Sequence, residues 1–549
     1  MRSNSLRLTS FSRVCLRAAA ALLLPVALLS CGDAEPEAPT PVSLTMEKIG
    51  GFDGAAVGAA EITAFDPASK RLFVVNGANG NVDVLDLSNP AAPARVGTIS
   101  VTELGGSVNS VAVHDGLVAL AIEASPKTSP GKVAFYDAAT LALRSSVTVG
   151  ALPDMVVFTP NGQYLLVANE GEPNSYGQAD SVDPEGSVSV IRVNRQGTPE
   201  VLTADFKAWN ARADELRAAG VRIYGPNATV AQDLEPEYIT VSEDGRTAWV
   251  TLQENNAIAT LDILNARITD IRALGYKDHS VAGMGLDVSD EDGGTNTNSG
   301  TPAIRIGPQP VRGLYLPDGI TSYSHSGQTY LITANEGDAR ADWPGFNEET
   351  RVRTHCDKGL DPTVFANAAT QILDSNLGRL RITTTPNGGS TGKNAAGLCT
   401  ELYAFGARSF SIWSTDIKRL HDSGDDLEKR TQALPNVKFN ASNDNDTLDS
   451  RSPAKGPEPE GVVVARFGNR FLAFVGLERV GGVMVYDVSN PAAVSFVTYL
   501  NTRTSATGDR GPEGLLLIPA AASPNGKPLL VVGNETSGTT AIFQLNFTY

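Results

Sequence analysis

Histidine is scarce in this chain, with five in 549 residues, and cysteine is scarcer still, with four. No His/Cys cluster of the kind that holds zinc, copper or iron can be assembled from so few, and no Cys-x-x-Cys-His haem attachment occurs. A Ser-His-Asp or Cys-His arrangement cannot be traced either. Basic residues are outnumbered, and the formal charge of −17 would repel nucleic-acid phosphates, so cations are the natural partners and nucleic acid is not. The longest apolar run near the N-terminus, residues 18–29, is too short to span a bilayer.

That run follows Arg2, Arg7, Arg13 and Arg17 and ends Leu28-Leu29-Ser30-Cys31. It reads as the apolar part of a signal peptide, residues 1–30, and its end resembles a bacterial lipobox. The resemblance implies cleavage before Cys31, lipid on the Cys31 thiol, and a membrane-anchored place in the cell envelope. Residues 31–41, acidic and rich in proline, read as a solvated tether. Cys15 leaves with the signal. Cys356 and Cys399 then remain as an even pair in an oxidising compartment, and a disulfide is expected.

Glycine (53) and proline (32) are plentiful, as many turns between short strands require. The pattern repeats. Seven units follow one another, each with an acidic or Asn start, a short apolar strand, a second strand, a third and in most cases a fourth. In the fifth the third strand is expected only at residues 401–405, after a long insertion. The seventh stops one strand short, and residues 42–50, which have no partner in the first unit, are expected to supply it. Units of this size with four short strands are the mark of a β-propeller. The expected fold is all-β: a seven-bladed β-propeller over residues 42–549, its last blade closed by an N-terminal strand.

In such a fold the first strand lines the channel and the second runs back antiparallel to it. First-strand starts and second-strand ends therefore share one side of the disc. At the starts stand Glu61, Asn109, Asp154, Glu237, Asp318, Glu460 and Glu513; at the ends stand Gly77, Glu123, Glu170, Glu254, Glu336, Glu478 and Glu535. So many carboxylates at one mouth repel one another unless a cation sits among them. Hard oxygen donors without His or Cys point to Ca²⁺ or Mg²⁺. Glu237, Glu460 and Glu513 are expected nearest the ion, with Glu170, Glu336 and Glu478 behind. Turn and β-bulge chemistry is the bland alternative, since Pro-Glu and Asn-Glu-Gly also suit turns. Insertions at 171–186, 206–234, 275–316, 337–399 and 434–459 are expected on the same side, where loops on a rigid scaffold usually carry function. Within them, 207–220 reads as a short helix stopped by glycine. Asp287-Val-Ser-Asp-Glu-Asp-Gly293 and Asn443-Asp-Asn-Asp446 look like calcium loops but lack EF-hand spacing.

Asn169-Glu-Gly-Glu-Pro-Asn174, Asp183-Pro-Glu-Gly-Ser-Val188, Asn335-Glu-Gly-Asp-Ala-Arg340, Leu402-Tyr-Ala-Phe-Gly-Ala-Arg-Ser-Phe-Ser-Ile-Trp413 and Gly456-Pro-Glu-Pro-Glu-Gly461 form a recognisable set. The chain resembles the choice-of-anchor I family from about residue 43 to its end. That resemblance implies an extracytoplasmic protein held at the surface by one of several anchors, here lipid. It hints at alkaline-phosphatase-like activity without fixing a reaction. Two functions compete. One is a metal-dependent phosphoesterase, in the manner of the β-propeller phytases, with Arg340, Arg479, Arg312, Arg451 and Lys455 as phosphate contacts. The other is a non-catalytic, cation-stabilised module that binds glycans or proteins.

Overall fold

The computed structural model describes residues 40–293, 301–341, 343–386 and 390–549. The signal peptide, Cys31 and nearly all of the tether lie outside the described residues. The fold is all-β. Among the described residues, seven four-stranded antiparallel sheets follow the seven sequence units, and an eighth sheet has five strands.

The middle strands show why these segments form sheets. Leu117–Ile122 (LVALAI) and Leu529–Asn534 (LLVVGN) are buried along their whole length. They read as continuous apolar runs because neighbouring sheets cover both faces. Each interface between consecutive sheets holds its own core. Phe73, Val84, Val118 and Tyr136 join the first sheet to the second. Trp249, Ile258, Leu331 and Trp413 join the fourth to the fifth. The seventh also packs on the first, through Leu72, Val74, Ile518, Val531 and Ile542. At the chain ends, Ser43–Asp53 pairs antiparallel with Thr539–Thr548, from Ser43 opposite Thr548 to Asp53 opposite Thr539. The N-terminal segment thus supplies the missing strand of the seventh sheet.

The fifth unit departs from expectation. Its third strand is Phe410–Ser414, which pairs with Gln328–Ala334, and not residues 401–405. Ser409 and Ser411 accept hydrogen bonds from buried Asn335, and Trp413 donates to Thr333 across the pair, which fixes this register. Tyr403–Ala404 joins the five-stranded sheet instead, beside Arg312–Leu314 and Arg381–Thr383. That sheet, with Tyr276–Asp278 and Glu349–Arg351, is built wholly from chain between the fourth sheet and Phe410. Its core contains Val352, Leu360, Phe365, Leu380 and Ile382 around the Cys356–Cys399 disulfide, whose Cα atoms are 5.6 Å apart. The helix read at 207–220 is present as a 3₁₀ turn, Lys207–Arg212, continuing into Ala213–Ala218. Gly220, at φ +97°, ends it.

Candidate metal centre

Bulges aim the carboxylates. In the third sheet Pro153 pairs with Asn169 and Met155 with Ala168, which leaves Asp154 unpaired between them. The same slip frees Asn109, Glu237, Glu460 and Glu513 in their own sheets. Proline precedes each of these acidic residues. It is tolerated there because a bulge or strand start asks for no ladder donor. Asp318 follows Pro317 just ahead of the strand Ile320–His325. The extra residue turns its side chain out of the pleat and toward the neighbouring sheets.

Glycine lets those sheets approach. A Cβ on Gly461 would stand 2.3 Å from the carbonyl oxygen of Glu513, and one on Gly319 would stand 2.5 Å from that of Glu460. A Cβ on Gly77 would lie 2.3 Å from Glu61 Oε1. The first unit therefore has glycine where others carry a glutamate, because the Glu61 carboxylate already fills that place.

The result is a cavity of about 340 Å³ lined by Asn109, Asp154, Glu237, Asp318, Glu336, Glu460, Glu478 and Glu513. Gln253, Asp338 and Arg479 share its wall, and Ile62, Met155, Val462 and Leu515 supply apolar contact. Glu61, Glu170, Glu254 and Glu535 do not line it but act on those that do. Burial, then Glu535 and Asp154, pushes Glu61 up to about 8. Burial, then Glu172 and Glu123, pushes Asp154 up to about 7. Burial dominates for Glu237, with Glu170 and Asp154 next, and its carboxyl lies well above the ordinary range. Asp318, Glu460, Glu513 and Glu170 are raised in the same way, by burial first and neighbouring carboxylates second.

One side of the cavity carries its own cations. Lys455 Nζ lies 2.6 Å from Glu336 Oε1, 3.1 Å from Glu458 Oε2 and 3.4 Å from Asp338. Arg479 Nε is 2.9 Å from Glu458 Oε2, its Nη1 is 2.9 Å from Glu478 Oε1, and Arg451 also pairs with Glu458. Glu336, Glu458 and Glu478 bring oxygens within 4.8 Å of one another. Lys455 and Arg479 already reach into that group, so it is the compensated part of the site. Burial opposes ionisation of Glu458, yet Lys455, Arg451 and Arg479 hold its carboxyl far below the usual value.

The other side is uncompensated. Among the described residues, Glu61, Asp154, Glu170, Glu237, Glu254, Asp318, Glu460, Glu513 and Glu535 make no ion pair with Lys or Arg. One buried oxygen each of Glu254, Glu460 and Glu513 has no hydrogen-bond partner. These donors fit a hard divalent cation: all are oxygens, and several are buried and unbonded.

The five basic residues expected to contact phosphate separate. Arg479 lines the cavity. Lys455 and Arg451 are counter-ions of Glu336 and Glu458. Arg340 is buried, with Nη1 2.5 Å from Asp233 Oδ1, Nη2 2.9 Å from Glu235 Oε2 and its guanidinium over the Tyr224 ring, so its donors are spent. Arg312 sits on the five-stranded sheet, bonded to Glu401 and Tyr403. Neither Arg340 nor Arg312 lines the cavity. Glu458 and Asp338 were missed. Glu458 sits two residues before Glu460 in Pro457-Glu-Pro-Glu460, and that doubled Pro-Glu was the available signal. Asn443 of the second acidic loop donates to Glu478 Oε1 at 2.8 Å, which makes it a brace of the site.

The sequence profile described as Choice-of-anchor I domain matches residues 61–491. Gigasin-3a of Magallana gigas is 32% identical over 191 residues, 31% of this chain and 66% of its own length. The Mesenchyme-specific cell surface glycoprotein of Strongylocentrotus purpuratus is 27% identical over 330 residues, 53% of this chain and 40% of its own. The chain thus spans less than two thirds of each. Among solved structures, the Myceliophteria thermophila Cps50 (Swd1) beta-propeller domain superposes with a TM-score of 0.42 at 10% identity, over 91% of this chain and 99% of that one.

Proposed function

Because the chain belongs to the choice-of-anchor I domain family, we propose that it is a surface-associated, seven-bladed β-propeller module whose acidic mouth binds divalent cations, Ca²⁺ or Mg²⁺. Seven four-stranded sheets, the packing of the seventh on the first and the pairing of the two chain ends support the blade count and its closure. The name of one relative, a cell surface glycoprotein, supports the location. Attachment through lipid on Cys31, after a signal peptide of residues 1–30, belongs to the same reading and rests on the sequence alone. Replacing Cys31 by Ala should then leave the mass of an unlipidated protein.

One observation carries the cation reading: a set of half-buried carboxylates meets at one cavity without a basic partner. Glu237, Glu460 and Glu513, with Asp154 and Asp318, would hold the ion. Ca²⁺ takes six to eight oxygens at about 2.3–2.6 Å and tolerates the irregular spacing that four bulges and one strand start impose. It would cancel the mutual repulsion that raises these groups.

Between the two functions weighed above, the binding module is favoured. Phosphoester hydrolysis is the second reading and rests on Arg479, whose guanidinium shares the cavity wall. A module for glycan or protein ligands needs no free basic cluster, and Arg340, Arg312, Arg451 and Lys455 are held by carboxylates. Calorimetric titration of chelated full-length protein with CaCl₂, beside a p-nitrophenyl phosphate assay, tests both. Calcium uptake without turnover is expected. Calcium-dependent turnover that Arg479→Met removes would establish the hydrolase instead, and no uptake would end the cation reading.

A further inference from the structure

Away from the mouth, two insertions meet at a second acidic cluster. Asp287 lies in the insertion 275–316; Asn440, Asp449 and Ser452 lie in 434–459. All four side chains are almost wholly buried, Asp449 and Asn440 at 0% exposure. Glu428, equally buried, ties them together. Its Oε2 accepts the Asp287 N–H at 3.1 Å, and its Oε1 accepts Asn440 Nδ2 at 2.9 Å. Asn440 Nδ2 also donates to Ser452 Oγ at 2.8 Å, and Ser452 Oγ donates to Asp449 Oδ1. Arg408 Nη1 lies 2.7 Å from Glu428 Oε1 and neutralises it.

Arg408 also donates to the backbone carbonyls of Asp287 and Ser452 at 2.6 Å each, but it pairs with neither aspartate carboxylate. Among the described residues neither Asp287 nor Asp449 pairs with Lys or Arg, whereas Asp290 and Asp292 of the same loop pair with Arg379 and Arg305. Asp287 accepts the backbone N–H of Arg305 at 2.5 Å. Asp449 Oδ2 and Asn440 Oδ1 accept nothing. The amide orientation of Asn440 is fixed, because both of its N–H bonds go to Glu428 and Ser452. Burial first, and Asp287 next, pushes Asp449 up to about 8, so the Asp287 carboxylate lies within electrostatic reach of it.

Two buried carboxylates and two unbonded buried oxygens need a partner. A shared proton would neutralise one charge, and a water would neutralise none. We propose that Asp287, Asp449 and the amide oxygen of Asn440 hold a second divalent cation, calcium by its donor set, which fastens the insertion 275–316 to the insertion 434–459. The donors are carboxylate and amide oxygens, which calcium accepts readily. Magnesium instead demands near-octahedral geometry and usually keeps several waters. This site does not depend on the mouth.

The test removes the mouth first. Full-length Glu237→Gln/Glu460→Gln/Glu513→Gln protein is stripped with EGTA, equilibrated at 1 mM CaCl₂, desalted and analysed for metal. One calcium per chain is expected to remain, and adding Asp449→Asn should lose it. Absence of calcium in the triple variant, or its retention after Asp449→Asn, would overturn the proposal. Should Asp449→Asn fail to fold, proteolysis of the triple variant decides. EGTA is expected to speed cleavage within 434–459 at least tenfold, and an unchanged rate counts against the site.

Discussion

Raising the pH of cation-free protein tests the mouth most directly. Glu61 titrates near 8 in the folded chain against 4.5 ordinarily. Between those values the native state binds more protons than the unfolded one, so stability falls as pH rises, and the full cost is present above pH 8. At about 1.4 kcal/mol per pH unit that gap is on the order of 5 kcal/mol for Glu61; water at the mouth reduces it to about 2–5 kcal/mol. Roughly 500 ordered residues at about 2.1 cal/mol/K each give an unfolding entropy near 1 kcal/mol/K. A two-state melt should therefore drop by about 2–5 °C between pH 5 and pH 9 in EGTA. Calcium at a hundred times its dissociation constant adds about 2.7 kcal/mol, or about 3 °C, and should restore most of the loss at pH 9. Replacing Glu237, Glu460 and Glu513 by Gln removes three of the repelling charges. That variant should melt higher than wild type at pH 9 in EGTA and show a flatter pH slope and a weaker calcium response. Differential scanning fluorimetry at pH 5, 7 and 9, with and without calcium, reads all of this. Parallel melting curves for the two proteins, with no calcium response in either, would mean that the acidic residues are solvated turn chemistry.

Gly461→Ala should cost about 1–3 kcal/mol, because its Cβ would sit 2.3 Å from the Glu513 carbonyl oxygen; the denaturation midpoint reads it. Arg340→Met leaves Asp233 and Glu235 buried without a cation, with an expected loss of about 3–5 kcal/mol by chemical denaturation. Replacing Cys356 and Cys399 by Ser frees a loop of sequence separation 43, worth about 4 kcal/mol in the chain-entropy picture. Residues 337–399 should then become protease-sensitive while fragments of the seven sheets persist.

The repeat was legible because its strands are covered on both faces and therefore carry long apolar runs such as Leu117–Ile122. The carboxylates were legible for a related reason. The bulge chemistry of Pro-Glu and the gathering of carboxylates at one cavity are compatible, since the bulge is what turns Glu237, Glu460 and Glu513 inward. Periodicity could not separate Leu402–Phe405 from Phe410–Ser414, since both are apolar and short. The choice was made by Asn335 and Thr333, which face serine and tryptophan partners across the pair. Nor could sequence say which cations were spent. Arg340 lies in a motif beside Glu336, yet its partners Asp233 and Glu235 come from more than a hundred residues earlier.

Ser43–Asp53 joins the C-terminal strand residue by residue, and Ser43 Oγ meets Thr548 Oγ1 at 2.5 Å. Mechanically, the chain enters the fold at its own seam. Tension applied through residues ahead of Pro41 falls on the bond from Arg470 to the Pro41 carbonyl and on the hydrogen bonds between those two strands, which also hold the seventh sheet complete. A protein pulled from its N-terminus would thus begin to yield where its ends are zipped together, and the seventh sheet would lose its outer strand first.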